Sequence, residues 1–429
     1  MTLVFAFAII LIFISIFLII KGIDVRIVLL GTAILLASSQ GELFTLLDRY
    51  LELLGDEKVI GPICSAMGFS YVIRITGCEQ DLVRALVKPL KNIRFALIPS
   101  GILVGFLCNV IITSQTAAAA ALGPILLPLL LTAGASPIAA GAILLMGCSM
   151  GGAILNPGEA DVVTLQQSLG IGPEQIIHAT LLPLSACLTT VMVLSHFYLK
   201  KYFNSALTES PQIEAPKLYR AVLPLLPMFL IIILQPKLNL IPQLSARYPL
   251  GVPISHIMLA CLILVIVLHP KKINALSKGF FDGLGAGYVQ VITLIITASC
   301  FIRALEMTGF MNSLLVLIKE KSLTSTVMAA ILPAGMAIIS GSGTAPSVAF
   351  SKAIVPSIAQ INFDYALTLG ILGEITSSLG RTLSPVAAIV VYTSSQVGIP
   401  ALQLVRTVMP ILIPALGVAI VWAIYQPIR

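Results

Sequence analysis

A chain of 429 residues that is 58% hydrophobic and 10% charged, with a mean hydropathy of +1.04, lies outside the range of soluble globular domains. The composition is that of an integral membrane protein. The net charge of +7 comes from basic residues dispersed among loop positions rather than gathered on one face, which argues against nucleic-acid binding.

The apolar runs lack period-two alternation, so they predict helices rather than a barrel. The first run, Leu3 to Ile20, has no basic stretch ahead of it and no small-x-small cleavage site before Lys21, so it reads as a retained helix rather than a signal peptide. Spans are expected at about 2–20, 25–39, 59–76, 138–170 and 178–199, with a helical hairpin at 95–131. The amphipathic, basic segment 79–94 suits an interfacial helix before that hairpin. Residues 200–220 are polar and contain proline, the character of a linker. Beyond it, spans are expected at about 221–235, 252–269, 283–302, 364–398 and 404–425, with a hairpin at 326–359. Arg303 to Lys321 is the less basic counterpart of 79–94.

The two halves repeat at an offset of 228 residues. Ser114-Gln115-Thr116-Ala117 recurs as Ser342-Gly343-Thr344-Ala345, and Gly152 to Pro157 recurs as Gly380 to Pro385. An ungapped match of Ser114–Ile171 onto the second half has sixteen identities in fifty-eight positions. Roughly five are expected by chance in so biased a composition, so the match signals duplication.

Charge placement orients the copies. Fifteen Lys and Arg residues fall on the side that holds the 200–220 linker and eight on the other, while Lys352 and Arg381 fall inside the hairpin and a broken span. The positive-inside rule places the linker in the cytoplasm. Five crossings per half is an odd number, so the second copy enters from the opposite face and the repeats are inverted. The expected fold is an all-α integral membrane protein of two inverted repeats. Each has about five transmembrane helices, a re-entrant hairpin and a broken helix, with the repeats at 1–199 and 221–429.

The polar residues inside this frame are the candidate site. Ser114, Gln115 and Thr116 interrupt one hairpin, and Ser342, Gly343 and Thr344 the other. At a re-entrant tip, hydroxyls and free backbone N–H groups face a cavity, and helix N-termini bind anions. Pro157 and Pro385 sit inside expected spans, where proline removes a hydrogen bond and clashes with the preceding turn. Each follows an amide or hydroxyl, Asn156 or Ser384, as at discontinuous helices meeting near the midplane. Arg381, with Thr382 beside it, is the candidate to offset a carboxylate's charge, and Lys352 the second. Glu159 and Asp161 follow the first break and are candidates for ion coupling; Glu374 receives no role. The seven cysteines and four histidines are isolated, without CxxC or HExxH spacing, so no metal or organic cofactor is expected. A membrane-embedded enzyme or receptor would need a metal-ligand set, a G-x-S-x-G elbow or a sensor domain, none of which the sequence shows.

Gly341 to Pro346 (GSGTAP), Ser378 to Pro385 (SLGRTLSP) and Gln403 to Pro410 resemble the anaerobic C4-dicarboxylate carriers of the DcuC type, in a superfamily of elevator carriers. Asp161 to Val163 and Thr180 to Pro183 fit the same pattern less distinctively, and the similarity extends from about residue 60. The resemblance implies a homodimer in the bacterial inner membrane, a scaffold domain holding a moving transport domain, and fumarate, succinate, malate or aspartate as substrates. The Ser-x-Thr tips are also similar to the Ser-Asn-Thr tips of sodium-coupled relatives, but Gln115 and Gly343 replace the asparagine, which weighs against sodium coupling. Exchange and symport coupled to Na+ or H+ both remain open, as do another organic anion and cation or proton antiport on the same fold.

Overall fold

The computed structural model describes residues 2–21, 23–89, 96–203, 214–249, 251–309 and 323–426. Residues 204–213 of the 200–220 linker, the end of 79–94 with the first residue of the 95–131 hairpin, and most of Arg303–Lys321 lie outside the described residues. Among the described residues the regular structure is helical, with a single isolated bridge between Ala135 and Phe203. Seven helical stretches among the described residues are long and apolar enough to cross a membrane.

In the first half the helices are α1 (Thr2–Ile20), α2 (Val25–Ser39), α3 (Leu43–Leu54), α4 (Glu57–Thr76) and α5 (Cys78–Val87). The hairpin arms α6 (Leu97–Ile111) and α7 (Gln115–Thr132) come next, then α8 (Pro137–Ser149), α9 (Ala160–Leu169) and α10 (Pro173–Leu199). The second half holds α11 (Leu218–Val222), α12 (Leu226–Ile233), α13 (Pro242–Arg247), α14 (Ile254–Leu268), α15 (Ile273–Gly287) and α16 (Thr293–Met307). The second hairpin is α17 (Leu323–Ser340) and α18 (Thr344–Ala353), followed by α19 (Val355–Ala359), α20 (Phe363–Thr382), α21 (Ala388–Val397) and α22 (Ala401–Tyr425).

Several elements depart from expectation for local reasons. Helix α3 has no counterpart among the expected spans, because its twelve residues are amphipathic rather than uniformly apolar, and it buries only Leu46 and Leu53. The span expected at 283–302 runs from Ile273 to Met307, joined through a π-helical turn at Tyr288–Ile292. The span expected at 221–235 is divided into short pieces at Pro224 and Pro227. Helix α10 begins at Pro173 rather than 178, with proline at the first helical position, where its missing donor costs nothing.

Proline is not what interrupts the broken helices. Pro124, Pro128 and Pro333 lie within continuous helices. Pro157 and Pro385 follow the ends of α8 and α20 by eight and three residues. In the first copy the chain turns at Gly151, whose φ of 116° disfavours any side chain, and a short 3-10 turn at Gly152–Leu155 follows. In the second copy α20 continues to Thr382.

Local structure repeats at the same offset as the sequence. Ser114 and Ser342 each accept a hydrogen bond from the backbone N–H three residues on, at 3.4 and 3.3 Å. Gly170 and Gly398 end α9 and α21 with φ of 66° and 67°. A Cβ added at Gly152 would stand 2.5 Å from the carbonyl of Phe106, and one at Gly380 would stand 2.4 Å from that of Ala334. Cys187 of α10 donates to the carbonyl of Ala415 in α22 at 3.3 Å, so the long last helices of the two halves touch at corresponding positions.

Candidate functional site

Both hairpin tips face one cavity of about 960 Å³. Thr113, Ser114, Gln115 and Thr116 line it from the first half and Gly341, Ser342, Gly343 and Thr344 from the second, with Glu159 and Arg381 in the same wall. The N-termini of α7 and α18 therefore open onto the same space, and their unpaired N–H groups favour an anion there. The capping serines satisfy one donor in each helix and leave others for a ligand.

Gly341 takes a φ of 71° to turn the second tip, where a side chain would press on the backbone of Ala387 at 3.0 Å. Gly343 sits directly over Arg381: a Cβ there would stand 2.5 Å from Nη1. That contact explains glycine at 343 where the first copy has Gln115. The Ser377 hydroxyl donates to the carbonyl of Gly343 at 2.5 Å and anchors this tip to α20.

Arg381 lies in the last turn of α20 and is 6% exposed. Its Nη2 donates to the carbonyl of Ser149 at 2.7 Å and its Nε faces Ser149 Oγ at 3.4 Å. The guanidinium is thus held by the C-terminal end of α8, whose carbonyls carry partial negative charge, while it borders the cavity. No ion pair within 4 Å joins Arg381 to a carboxylate among the described residues. Asp161 and Glu159 lie within its electrostatic reach and share its field with a substrate.

The other candidate residues divide between cavity and support. Thr382 is fully buried and donates to Ser149, so it fixes the meeting of α20 with α8 instead of lining the cavity. Asn156 donates to the carbonyl of Val110 at 2.9 Å and accepts from the N–H of Gly158 at 2.9 Å, tying the first break to α6. Ser384 is fully buried, with Oγ unpartnered, and does not reach the cavity; nor do Pro157 and Pro385. Lys352 points away, donating to Ser299 of α16 at 3.2 Å. Asp161 and Glu374 are buried behind the wall.

Three supporting residues have no place among the sequence candidates. Asn109, fully buried, accepts from the N–H of Ala153 at 3.1 Å and stitches α6 to the break. Ser149 and Ser377 are identical at equivalent repeat positions, a signal present in the alignment but indistinguishable there from neighbouring small residues.

At one end the cavity reaches Arg74 in the last turn of α4 and Glu79, Gln80 and Arg84 of α5, a helix outside the spans. Burial pushes the Glu79 carboxyl above its ordinary range, against the opposing pull of Arg74 at 4.0 Å. Helix α5 is held to the linker end by Arg220 on Asp81 at 3.2 Å and Arg84 on Glu214 at 2.7 Å. Among the described residues no three His, Cys, Asp or Glu side chains converge as a metal-ligand set.

The family of C4-dicarboxylate anaerobic carriers, DcuC, matches residues 59–427. The anaerobic C4-dicarboxylate transporter DcuC of Escherichia coli K12 is 28% identical over 369 residues, covering 81% of this chain and 76% of that protein. The probable anaerobic C4-dicarboxylate transporter DcuC of Vibrio cholerae is 26% identical over 384 residues, covering 84% and 81%. Among solved structures, the Alcanivorax borkumensis YdaH transporter superposes with a TM-score of 0.65 at 13% identity over 96% of this chain and 97% of that one. The Neisseria gonorrhoeae efflux pump MtrF gives 0.56 at 14% identity over 92% and 87%. At these identities the two structures share the fold alone.

Proposed function

Because this chain belongs to the DcuC family of C4-dicarboxylate anaerobic carriers, a family of transporters and not enzymes, we propose that it is a secondary carrier of C4-dicarboxylates in the bacterial inner membrane. Fumarate, succinate, malate and aspartate form the substrate class. One observation carries this reading: the tips Thr113–Thr116 and Gly341–Thr344, from opposite halves of the chain, line one cavity with Arg381.

Each end of a short dicarboxylate then meets a different tip. Ser114, Gln115 and Thr116, with the α7 N-terminus, receive one carboxylate; Ser342, Gly343 and Thr344, with the α18 N-terminus, receive the other. Arg381 compensates part of the charge. The repeats 1–199 and 221–429 are inverted about the 200–220 linker, consistent with the odd number of crossings per half and with the contact of α10 and α22 at equivalent positions. Each hairpin is re-entrant, which its polar tip at the cavity supports. The hairpins, broken helices and bound substrate move as one body against the remaining helices in a homodimer. Exchange of one dianion for another moves no net charge, whereas symport needs a coupling cation.

The experiment is counterflow of labelled succinate in proteoliposomes, with sodium and pH gradients imposed separately. Saturable counterflow competed by fumarate is expected, and its absence for every C4-dicarboxylate would overturn the proposal. Cation or proton antiport is the second reading, favoured by Glu159 in the cavity wall. It would show as transport lost in Glu159→Gln and unresponsive to dicarboxylates.

A further inference from the structure

Behind the cavity wall, four oxygen-bearing side chains from three helices are buried without partners. Asp161 and Thr164 are on α9, one helical turn apart; Ser347 is on α18 and Glu374 on α20, and the three helices pack against one another. Glu374 and Thr164 are fully buried, Ser347 is 1% exposed and Asp161 5%. Asp161 Oδ1, both carboxylate oxygens of Glu374, and the hydroxyls of Ser347 and Thr164 have no hydrogen-bond partner. Asp161 faces the Ser347 hydroxyl, and Glu374 lies within electrostatic reach of Asp161. The side chain of Leu165 packs over Gly370 one turn further along α9 and α20, which brings Asp161 toward Glu374 in the antiparallel packing.

The duplication provides an internal control. At the offset of 228 residues, Asp161 corresponds to Ile389, Thr164 to Tyr392, Ser347 to Ala119 and Glu374 to Met146. Those counterparts lie on α21, α7 and α8, which pack against one another in the same way. Ile389, Ala119 and Met146 are buried there as ordinary apolar core. The architecture therefore needs no carboxylate at this locus. One half carries there two carboxylates and two hydroxyls with buried oxygens that lack hydrogen-bond partners, an arrangement disfavoured in a membrane unless a ligand supplies the missing charge.

We propose that Asp161, Glu374, Ser347 and Thr164 form a sodium site that couples cation binding to substrate binding. The coupling half of this rests on the dicarboxylate reading above; the site does not. A hard cation takes oxygen ligands such as the carboxylates and hydroxyls gathered here. A proton shared by two carboxyls would draw them into a hydrogen bond. One positive charge here, with Arg381 alongside, balances Asp161 and Glu374; Glu159, the third carboxylate within reach, stands in the cavity wall. With sodium bound, the carboxylates no longer compete for the field of Arg381, which is then free for the dianion. The site is separate from the tips, where Gln115 and Gly343 stand against sodium.

The test is saturable binding of radioactive sodium to the purified full-length protein in nanodiscs, without dicarboxylate, by scintillation proximity. The wild type should bind sodium, lithium should compete, and calcium and magnesium should not. Asp161→Asn and Glu374→Gln should each weaken binding tenfold or more, Ser347→Ala about threefold, and Asp24→Asn not at all. If Glu374→Gln does not elute as a monodisperse species, Glu374→Asp and Ser347→Ala carry the comparison. No saturable sodium binding by the wild type, unchanged binding in Asp161→Asn and Ser347→Ala, or displacement by calcium would each overturn the site. Succinate counterflow on the same preparations tests the substrate independently: sodium binding without counterflow supports the site and removes the dicarboxylate.

Discussion

Arg381 and Thr344 are the residues whose removal should be felt most directly in substrate affinity. Arg381 is the buried cation beside the tips, with no ion pair within 4 Å among the described residues. Losing a buried charge partner costs about 2–5 kcal/mol, so Arg381→Gln should weaken succinate transport about thirtyfold or more in proteoliposomes. Retained affinity would remove its assigned role. Thr344 contributes one neutral hydroxyl at the tip, worth about 1 kcal/mol. Thr344→Ala should raise the half-saturation concentration about fivefold with expression intact. The same change at Ser384, buried away from the cavity, should leave affinity unchanged. Sequence position alone does not separate these two hydroxyls, because each lies beside a break or a tip; only the direction its helix faces does.

At the scale of elements, the decisive contacts are backbone against backbone. Gly380 lets α20 approach α17 so closely that an added Cβ would stand 2.4 Å from the carbonyl of Ala334. Gly335, the next residue along α17, has nothing within 4 Å of the same added atom. Gly380→Ala should therefore lower the unfolding temperature in detergent, overpacking of this kind costing about 1–3 kcal/mol. Gly335→Ala should leave it level or raised, since alanine is favoured over glycine in a helix interior by about 0.5–1 kcal/mol. Equal responses would contradict the packing described. Helix boundaries were legible to within a few residues where long apolar runs end at a cap or turn, as at Ser39 and Thr76. They were not legible at α3, whose stripe is too short to resemble a span, nor at the first break, which Gly151 begins before Pro157.

For the whole molecule, the cavity reaches past the tips to Arg74 and Arg84, on the side that the charge count places in the cytoplasm. Cysteine introduced at Ser342 should then react with a membrane-impermeant maleimide applied from the cytoplasmic face, and succinate should protect it. The seven native cysteines are free and buried, so their background should be low. Labelling confined to the opposite face would reverse the orientation. Neutralising Arg74 should also weaken the ionic-strength dependence of substrate entry, because a charged mouth concentrates dianions through screened attraction.

The sequence by itself determined the helical membrane class, the duplication at 228 residues, the two polar tips and Arg381 as the notable buried cation. These are legible because hydrophobic run length, repetition and isolated charge are properties of the chain read in order. Tertiary structure alone decided that the two tips share a cavity, that Ser149 and Asn109 hold the breaks in place, and that Thr382 supports rather than lines the site. It also decided that Asp161, Ser347 and Glu374, more than two hundred residues apart at their extremes, lie at one locus. The physical reason is the same in each case: a buried polar group takes its meaning from the groups that satisfy it or fail to, and those arrive from distant segments only when the helices pack.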